Sequence, residues 1–357
     1  RVPGPSSEAI VTPITHLRHY QALLAPGTAL RDGLERIVSG RTGALIALGA
    51  SPAVAAVCTG GFHLDTPFAP TALRELAKMD GGIVVTQDLS RIVRAGVHFA
   101  PDPGIATAET GTRHASADRL SQQTGVAVVT VSASMSVIAL YLNGERHLVE
   151  RPDALAARGN QALSALGRYH ERLRAVTETL SALEVSDQVT VREVAVVSQR
   201  LELVRRLADE VAGYVVQLGA EGRLLELQLH EVTAQTGDLG RQIQLDYHPP
   251  QAPQAVDPAS LSGLSDDELL DLGTVSASLG LGPLDSRVSP RGIRQLLQIS
   301  QLPPGLAPRL LEQFGGLQGV LAASQSDLVE VDGVTEASAR LIRDRLLRLT
   351  EAAYQIT

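Results

Sequence analysis

Short, unbroken apolar runs set the pattern of the first 150 residues. Gly43 to Leu48 and Ala53 to Cys58 are continuous and short, which predicts two strands buried on both faces. Further strands are predicted at Ile83 to Thr86, Ser90 to Ala95, Val126 to Ser132 and Val137 to Leu142, with Asn143-Gly144 as a hairpin turn. Helical spacing intervenes at Leu30 to Val38, where Leu30, Leu34 and Ile37 share a face, and at Pro70 to Met79. Ser116 to Thr124 reads as another helix, stopped by Gly125. Gly60-Gly61-Phe62 breaks the pattern at a point where backbone can approach a ligand. The region is an α/β domain with a mixed β-sheet.

From Pro152 the period changes. Leu155, Leu163, Leu166, Leu173, Leu180 and Leu183 recur at near-helical intervals, and Gln188 to Glu210 follows as a second amphipathic stretch. Tyr214 to Leu229 fits two short pieces around Gly219 and Gly222. His248 to Pro253 has linker composition, Asp266 to Leu272 is a short acidic helix, and Leu281 to Ser289 is irregular. Two similar units close the chain. One runs Ile299 to Ala307 and then a helix to Phe314; the other runs Leu328 to Thr335 and then a helix to Leu349. The expected organisation is an α/β domain over residues 1–150, an all-α middle domain over 151–289 and a C-terminal helix-hairpin-helix domain over 290–357.

Composition narrows the setting. With 44% hydrophobic residues the chain can bury real cores, although aromatics are only 3%. No run of eighteen apolar residues exists, so no membrane span is expected. The start, Arg1 to Ser7, has no apolar signal core and reads as a loose tail. The one cysteine, Cys58, allows no internal disulfide and fits a reducing compartment. The expectation is a cytoplasmic protein. A net charge of −8 argues against a generally basic nucleic-acid binder, so any contact with DNA must be local. Lys78 is the sole lysine and sits two residues before Asp80, a hint that its charge is used there.

The chemistry gathers between Asp80 and Ser116. Asp80-Gly81-Gly82 sets one carboxylate beside two residues without side-chain bulk. Gly111-Thr112-Arg113-His114-Ala115-Ser116 sets a hydroxyl, a guanidinium and an imidazole behind a glycine. A carboxylate at one end and donors at the other suit a nucleoside triphosphate with a metal ion. The bland alternative is a turn pair and an ordinary helix cap. In the closing units, Gly305 and Gly333 each sit in a turn before a helix, which looks like tandem helix-hairpin-helix motifs. Such turns present backbone amides to a DNA phosphate without reading bases. The usual second glycine is replaced by Ala307 and Thr335, and Arg340, Arg343 and Arg348 are the residues placed near phosphate.

Asp-Gly-(Ala/Gly) followed some thirty residues later by Gly-Thr-Arg-His resembles the diadenylate cyclase family. The segments Leu30 to Ile37, Gly40 to Ile46, Gln199 to Arg206 and Val288 to Gly292 resemble its DNA integrity scanning branch, as found in actinobacteria. The resemblance implies joining of two ATP into cyclic di-AMP, a homo-octamer, and inhibition by double-stranded or branched DNA in a nucleoid-associated protein. It implies that Asp80 binds Mg²⁺ or Mn²⁺ and activates the 3′-hydroxyl. Gly81 and Gly82 would let the nucleotide close, the backbone at Phe99 would lie at adenine, and Thr112, Arg113, His114, Ala115 and Ser116 would line the triphosphate. The family usually reads Asp-Gly-Ala and Arg-His-Arg where this chain has Asp80-Gly81-Gly82 and Arg113-His114-Ala115, and leucine at Phe99. The missing guanidinium at Ala115 raises the alternative of a DNA-binding scaffold whose cyclase domain holds nucleotide without turning it over.

Overall fold

The computed structural model describes residues 13–234, 236–247, 258–299, 302–303 and 305–356. The expected N-terminal tail and the His248 to Pro253 linker lie outside the described residues, as do Ser300, Gln301 and Pro304 of the first closing unit. The chain divides into two compact units, residues up to 160 with 212–226, and residues 161–211 with 227 onward.

The first unit is built on an eight-stranded mixed sheet. Its strands are β1 (Ala44–Leu48), β2 (Cys58–Thr59), β3 (Phe62–Pro67), β4 (Gly82–Val85), β5 (Arg91–Phe99), β6 (Val128–Ser132), β7 (Val137–Leu142) and β8 (Glu145–Val149). They lie in the order β2-β5-β4-β1-β6-β7-β8, with β3 also on β5. Only β1 and β4 run parallel, with Ile46 opposite Ile83. Both central strands are buried along their whole length, because helices cover both faces. Alternate side chains go to opposite cores. Ala44, Ile46, Leu48, Ile83 and Val85 pack with Leu30, Leu34, Ile37 and Leu73 from α2 (Ala29–Ser39) and α4 (Pro70–Leu76), behind α1 (Pro13–Leu23). Leu45, Ala47 and Val84 pack with Val54, Ala117 and Leu120 from α3 (Pro52–Ala56) and α5 (Thr112–Thr124).

One expectation changes. Ala53 to Cys58 is not a strand: Ser51 accepts the Val54 amide as an N-cap and Pro52 opens the helix α3, leaving only Cys58 and Thr59 extended. Gly61 packs against the sheet, where a Cβ would lie 2.7 Å from the Ala95 carbonyl oxygen. The Asn143-Gly144 turn forms as expected, with φ of 50° and 81°.

The second unit holds most of α6 (Pro152–Val185) and α7 (Val191–Leu218), then α8 (Arg223–Thr233), α9 (Leu239–Tyr247), α10 (Asp266–Leu270), α11 (Leu272–Ser278), α12 (Ile293–Leu297), α13 (Leu306–Phe314), α14 (Leu317–Ala322), α15 (Gln325–Val329) and α16 (Glu336–Ile356). The stretch Tyr214 to Leu229 is the end of α7, one turn of 3₁₀ helix at Gly219–Gly222, and the start of α8. A fully buried ion pair, Arg294 to Glu184 at 2.6 Å, ties α12 to α6 across the expected boundary at residue 289. The Tyr247 hydroxyl donates to Glu184 at 2.6 Å, and the Gln295 amide donates to its other oxygen.

The two closing units share one turn. The Leu306 amide donates to Pro303 O at 3.1 Å, and the Val334 amide donates to Val331 O at 3.0 Å. Gly305 at φ 82° and Gly333 at φ 91° occupy the third position, where a type II turn needs a positive φ. One core of Ile299, Leu306, Leu310, Val331, Val334 and Ala339 serves both.

Candidate active site

The parallel register brings the two sequence motifs together. Ile46 opposes Ile83, so Gly43, just before β1, and Asp80, two residues before β4, both precede the N-terminal ends of paired strands. Arg113 lies against Gly43, where a Cβ would fall 2.2 Å from its Nη1. The Asp80 carboxylate and the start of α5 therefore share the edge formed by the N-terminal ends of β1 and β4. Sequence reading passed over Gly43, whose role is to leave room for Arg113. The available signal was a glycine just before an all-apolar strand.

Asp80 is exposed, and its Oδ1 accepts the Gly81 amide at 3.1 Å. Gly81 has φ 109°, and a Cβ there would lie 2.7 Å from the backbone of Gly96. Its lack of a side chain is thus required by β5. Gly82 answers to Phe99, because a Cβ would lie 2.1 Å from the ring. Phe99 is buried and fills the space over Gly82. These glycines shape the floor of the edge.

Gly111 caps α5 in extended conformation with no side-chain hydrogen bond, so the amides of Thr112, Arg113 and His114 open the helix uncapped. The 13-residue helix adds its dipole behind them. Thr112 and Arg113 are exposed; His114, Ala115 and Ser116 are half-buried. The preceding loop is strapped to α5. Thr107 donates to the buried Asp118, Arg119 Nε donates to Ile105 O at 2.9 Å, and Gln123 accepts the Asp102 amide at 2.8 Å.

His114 stands at the end of a polar chain. Its Nδ1 lies 3.0 Å from Tyr141 Oη and 3.2 Å from Thr130 Oγ1. Tyr141 Oη donates to Glu109 Oε1 at 3.0 Å, which also receives Arg146 Nη1 at 3.3 Å. Burial, then Arg146, hold the His114 pKa below the usual histidine value; Glu109 opposes them, and Arg113 adds a further lowering. Burial and the Glu109 carboxylate push the Tyr141 hydroxyl far up, so it keeps its proton. Sequence reading missed Glu109, Tyr141 and Arg146, because only the fold sets the β7–β8 hairpin, with Tyr141 and Arg146, against Glu109 in the loop before α5.

Lys78 is engaged elsewhere: its Nζ pairs with Glu75 at 2.5 Å on the surface. Among the described residues no group of three His, Cys, Asp or Glu side chains could hold a metal. One exposed carboxylate fits a hard cation that arrives with phosphate oxygens and keeps water ligands, as Mg²⁺ does, rather than a resident metal.

Of the residues placed near DNA, Arg340 and Arg348 are exposed. Arg343 is spent on structure, donating at 2.9 Å to the carbonyls of Leu321 and Ala323 at the end of α14. Arg309 was not singled out, yet its Nη1 approaches the carbonyl oxygen of Asp332 at 3.4 Å, beside Gly333. It brings the helix after the first turn to the second turn. No described helix is long and apolar enough to cross a membrane.

The first unit is an α/β domain of the diadenylate cyclase type with a mixed sheet, followed by a helical region. The family described as the DisA bacterial checkpoint controller nucleotide-binding domain matches residues 31–146, and the linker region of the same controller matches residues 149–287. The DNA integrity scanning protein DisA of Streptomyces avermitilis is 54% identical over 346 residues, covering 94% of this chain and 92% of its own. Its counterpart from Acidothermus cellulolyticus is 51% identical, covering 94% of each chain. The chain belongs to the family of the DNA integrity scanning protein DisA.

Proposed function

We propose that the chain is a diadenylate cyclase that condenses two ATP into cyclic di-AMP, coupled to scanning of DNA. The observation that carries this reading is the convergence of Asp80 and the uncapped start of α5 on one sheet edge. Phosphates sit at the amides of Thr112, Arg113 and His114, with the Arg113 guanidinium beside them. The half-buried Ala115 and Ser116 follow directly on the helix, and Phe99 backs the floor beside adenine. Asp80 would hold Mg²⁺ or Mn²⁺, which would supply neutralisation of charge developing at phosphorus. Asp80 also accepts from the ribose 3′-hydroxyl that attacks the α-phosphate of the second nucleotide, and pyrophosphate leaves.

Each subunit carries one such set, whereas the product is twofold symmetric. Two copies facing one another complete the site, and the homo-octamer is the assembly that the family suggests. Gly305 and Gly333 present amides to the phosphates of double-stranded or branched DNA in a tandem helix-hairpin-helix domain, and bound DNA inhibits synthesis. The working compartment is the cytoplasm, at the nucleoid. A second reading, a DNA-binding scaffold with an impaired cyclase domain, draws on Ala115, since Lys78 and Arg119 already serve Glu75 and Ile105.

Asp80→Asn tests the assignment. Synthesis of cyclic di-AMP from ATP and metal is expected to disappear while the oligomer keeps its size. Full activity in that variant would place the chemistry elsewhere.

A further inference from the structure

The proton count along the His114 chain has one solution. A carboxylate only accepts, so Glu109 takes the single hydroxyl hydrogen of Tyr141 and the Arg146 guanidinium. Tyr141 Oη then has only lone pairs left for His114. The 3.0 Å contact requires the hydrogen to sit on Nδ1 of the imidazole. The Thr130 hydroxyl, 3.2 Å from the same nitrogen, can rotate to accept as well. Nε2, on the far side of the ring, makes no hydrogen bond among the described residues and carries the lone pair of the neutral ring.

We propose that Glu109 and Tyr141 are positioning residues that hold His114 as the Nδ1–H tautomer, so that Nε2 accepts a hydrogen bond from a ribose hydroxyl of the bound nucleotide. This rests on the reading of residues 112–116 as the nucleotide site. It changes the part expected of His114 from a phosphate donor to an acceptor. A lone pair faces phosphate oxygens unfavourably, and the ribose hydroxyls are the donors nearest the phosphates that α5 receives. The charged groups around the ring are Arg113 on its own helix, Glu109 in the preceding loop and Arg146 on β8. Tyr141 on β7 is the other titratable neighbour, and Thr130 on β6 is neutral. Burial, Arg146 and Arg113 favour the neutral ring that the role needs.

Two measurements on the full chain decide it. Histidine ¹⁵N shifts without nucleotide at pH 8, assigned by the signal lost in His114→Gln, are expected to show a protonated Nδ1 and a bare Nε2. Tyr141→Phe should shift that ring toward a mixture of tautomers. A protonated Nε2 in the parent protein overturns the proposal, whatever nucleotide does. The second measurement is ATP affinity against pH in the parent and in Arg146→Gln. Removing the Arg146 charge raises the His114 pKa, so the acid-side loss of affinity should move to higher pH. Comparing the two proteins cancels the titration of ATP itself. If Arg146→Gln instead tightens binding on the acid side, His114 acts as a cation toward phosphate and the proposal falls. A correct tautomer in a chain that binds no ATP would instead sink the nucleotide reading on which the proposal stands.

Discussion

At the residue scale, the proposed cyclase activity is tested most directly at Ala115. It sits on the first turn of α5, half-buried, where its amide donates to Gly111 O at 2.8 Å. A guanidinium from this position would reach the phosphates that the open amides receive. Loss of one preorganised donor typically costs ~10²–10³ in rate. Lys78 and Arg119 are both held by other partners, Lys78 by Glu75 and Arg119 by Ile105. Ala115→Arg should therefore raise turnover at least about tenfold while changing ATP affinity less. Equal turnover in the two proteins, measured side by side, would show that the site already has its full charge. Asp80, Arg113 and His114 were legible in the sequence because each carries a reactive group in a short motif. Gly43 and Phe99 act by shape instead, through contacts with Arg113 and Gly82 that only the fold creates.

At the element scale, apolar runs announced the central strands because both faces of β1 and β4 are covered. The same rule misread Ala53 to Cys58, where Ser51-Pro52 starts a helix and outweighs the apolar run. It missed the exposed edge strand β3, which has no buried face to betray it. Open α/β sheets usually bind ligands beyond the carboxyl ends of their strands. Here the motifs meet at the amino ends, since only one strand pair is parallel and the other neighbours reverse direction. Among the helices, Asp246 does the work of a missing cap. Its carboxylate takes the amides of Gly292, Ile293 and Arg294 at 2.9, 2.5 and 3.0 Å, because Gly292 offers α12 no side chain.

Burial and the neighbouring Glu184 push Asp246 up to about 6, against the pull of those amides. A group bound more tightly to its proton in the folded state loses stability as pH rises. The window runs from the unfolded value of 3.8 to about 6. Thermal or urea unfolding of the helical unit should thus weaken by on the order of 1–3 kcal/mol across that span. Asp246→Asn should flatten the slope, even if the variant is less stable throughout. His114, with its lowered pKa, gives the opposite slope below the usual histidine range in the first unit, so the comparison of variant with parent carries the result. An unchanged slope would mean that Asp246 stays ionised through the window.

At the scale of the whole molecule, a chain of net charge −8 must concentrate its cations to meet DNA. The last 70 or so residues contain seven arginines between 291 and 348, but the fold removes two from service. Arg294 is sealed against Glu184, and Arg343 holds the end of α14. Cutting the chain at 290 would be a poor test of DNA binding, because it would also strip Glu184 of Arg294 and Gln295, its buried partners, and so disturb the helices that remain. Neutralising exposed charges is cleaner. Arg309, Arg340 and Arg348 are exposed, and Arg309 stands beside the second glycine turn. Their joint change to glutamine should weaken DNA binding by a similar factor on every base sequence, since such turns grip phosphate alone. The plot of log affinity against log salt should lose roughly 1 unit of slope for each phosphate contact removed. Arg343→Gln makes the contrast, lowering the stability of the closing unit while leaving the slope in place wherever the protein remains folded. If the triple variant keeps the affinity and salt slope of the parent, the DNA surface lies away from the paired turns.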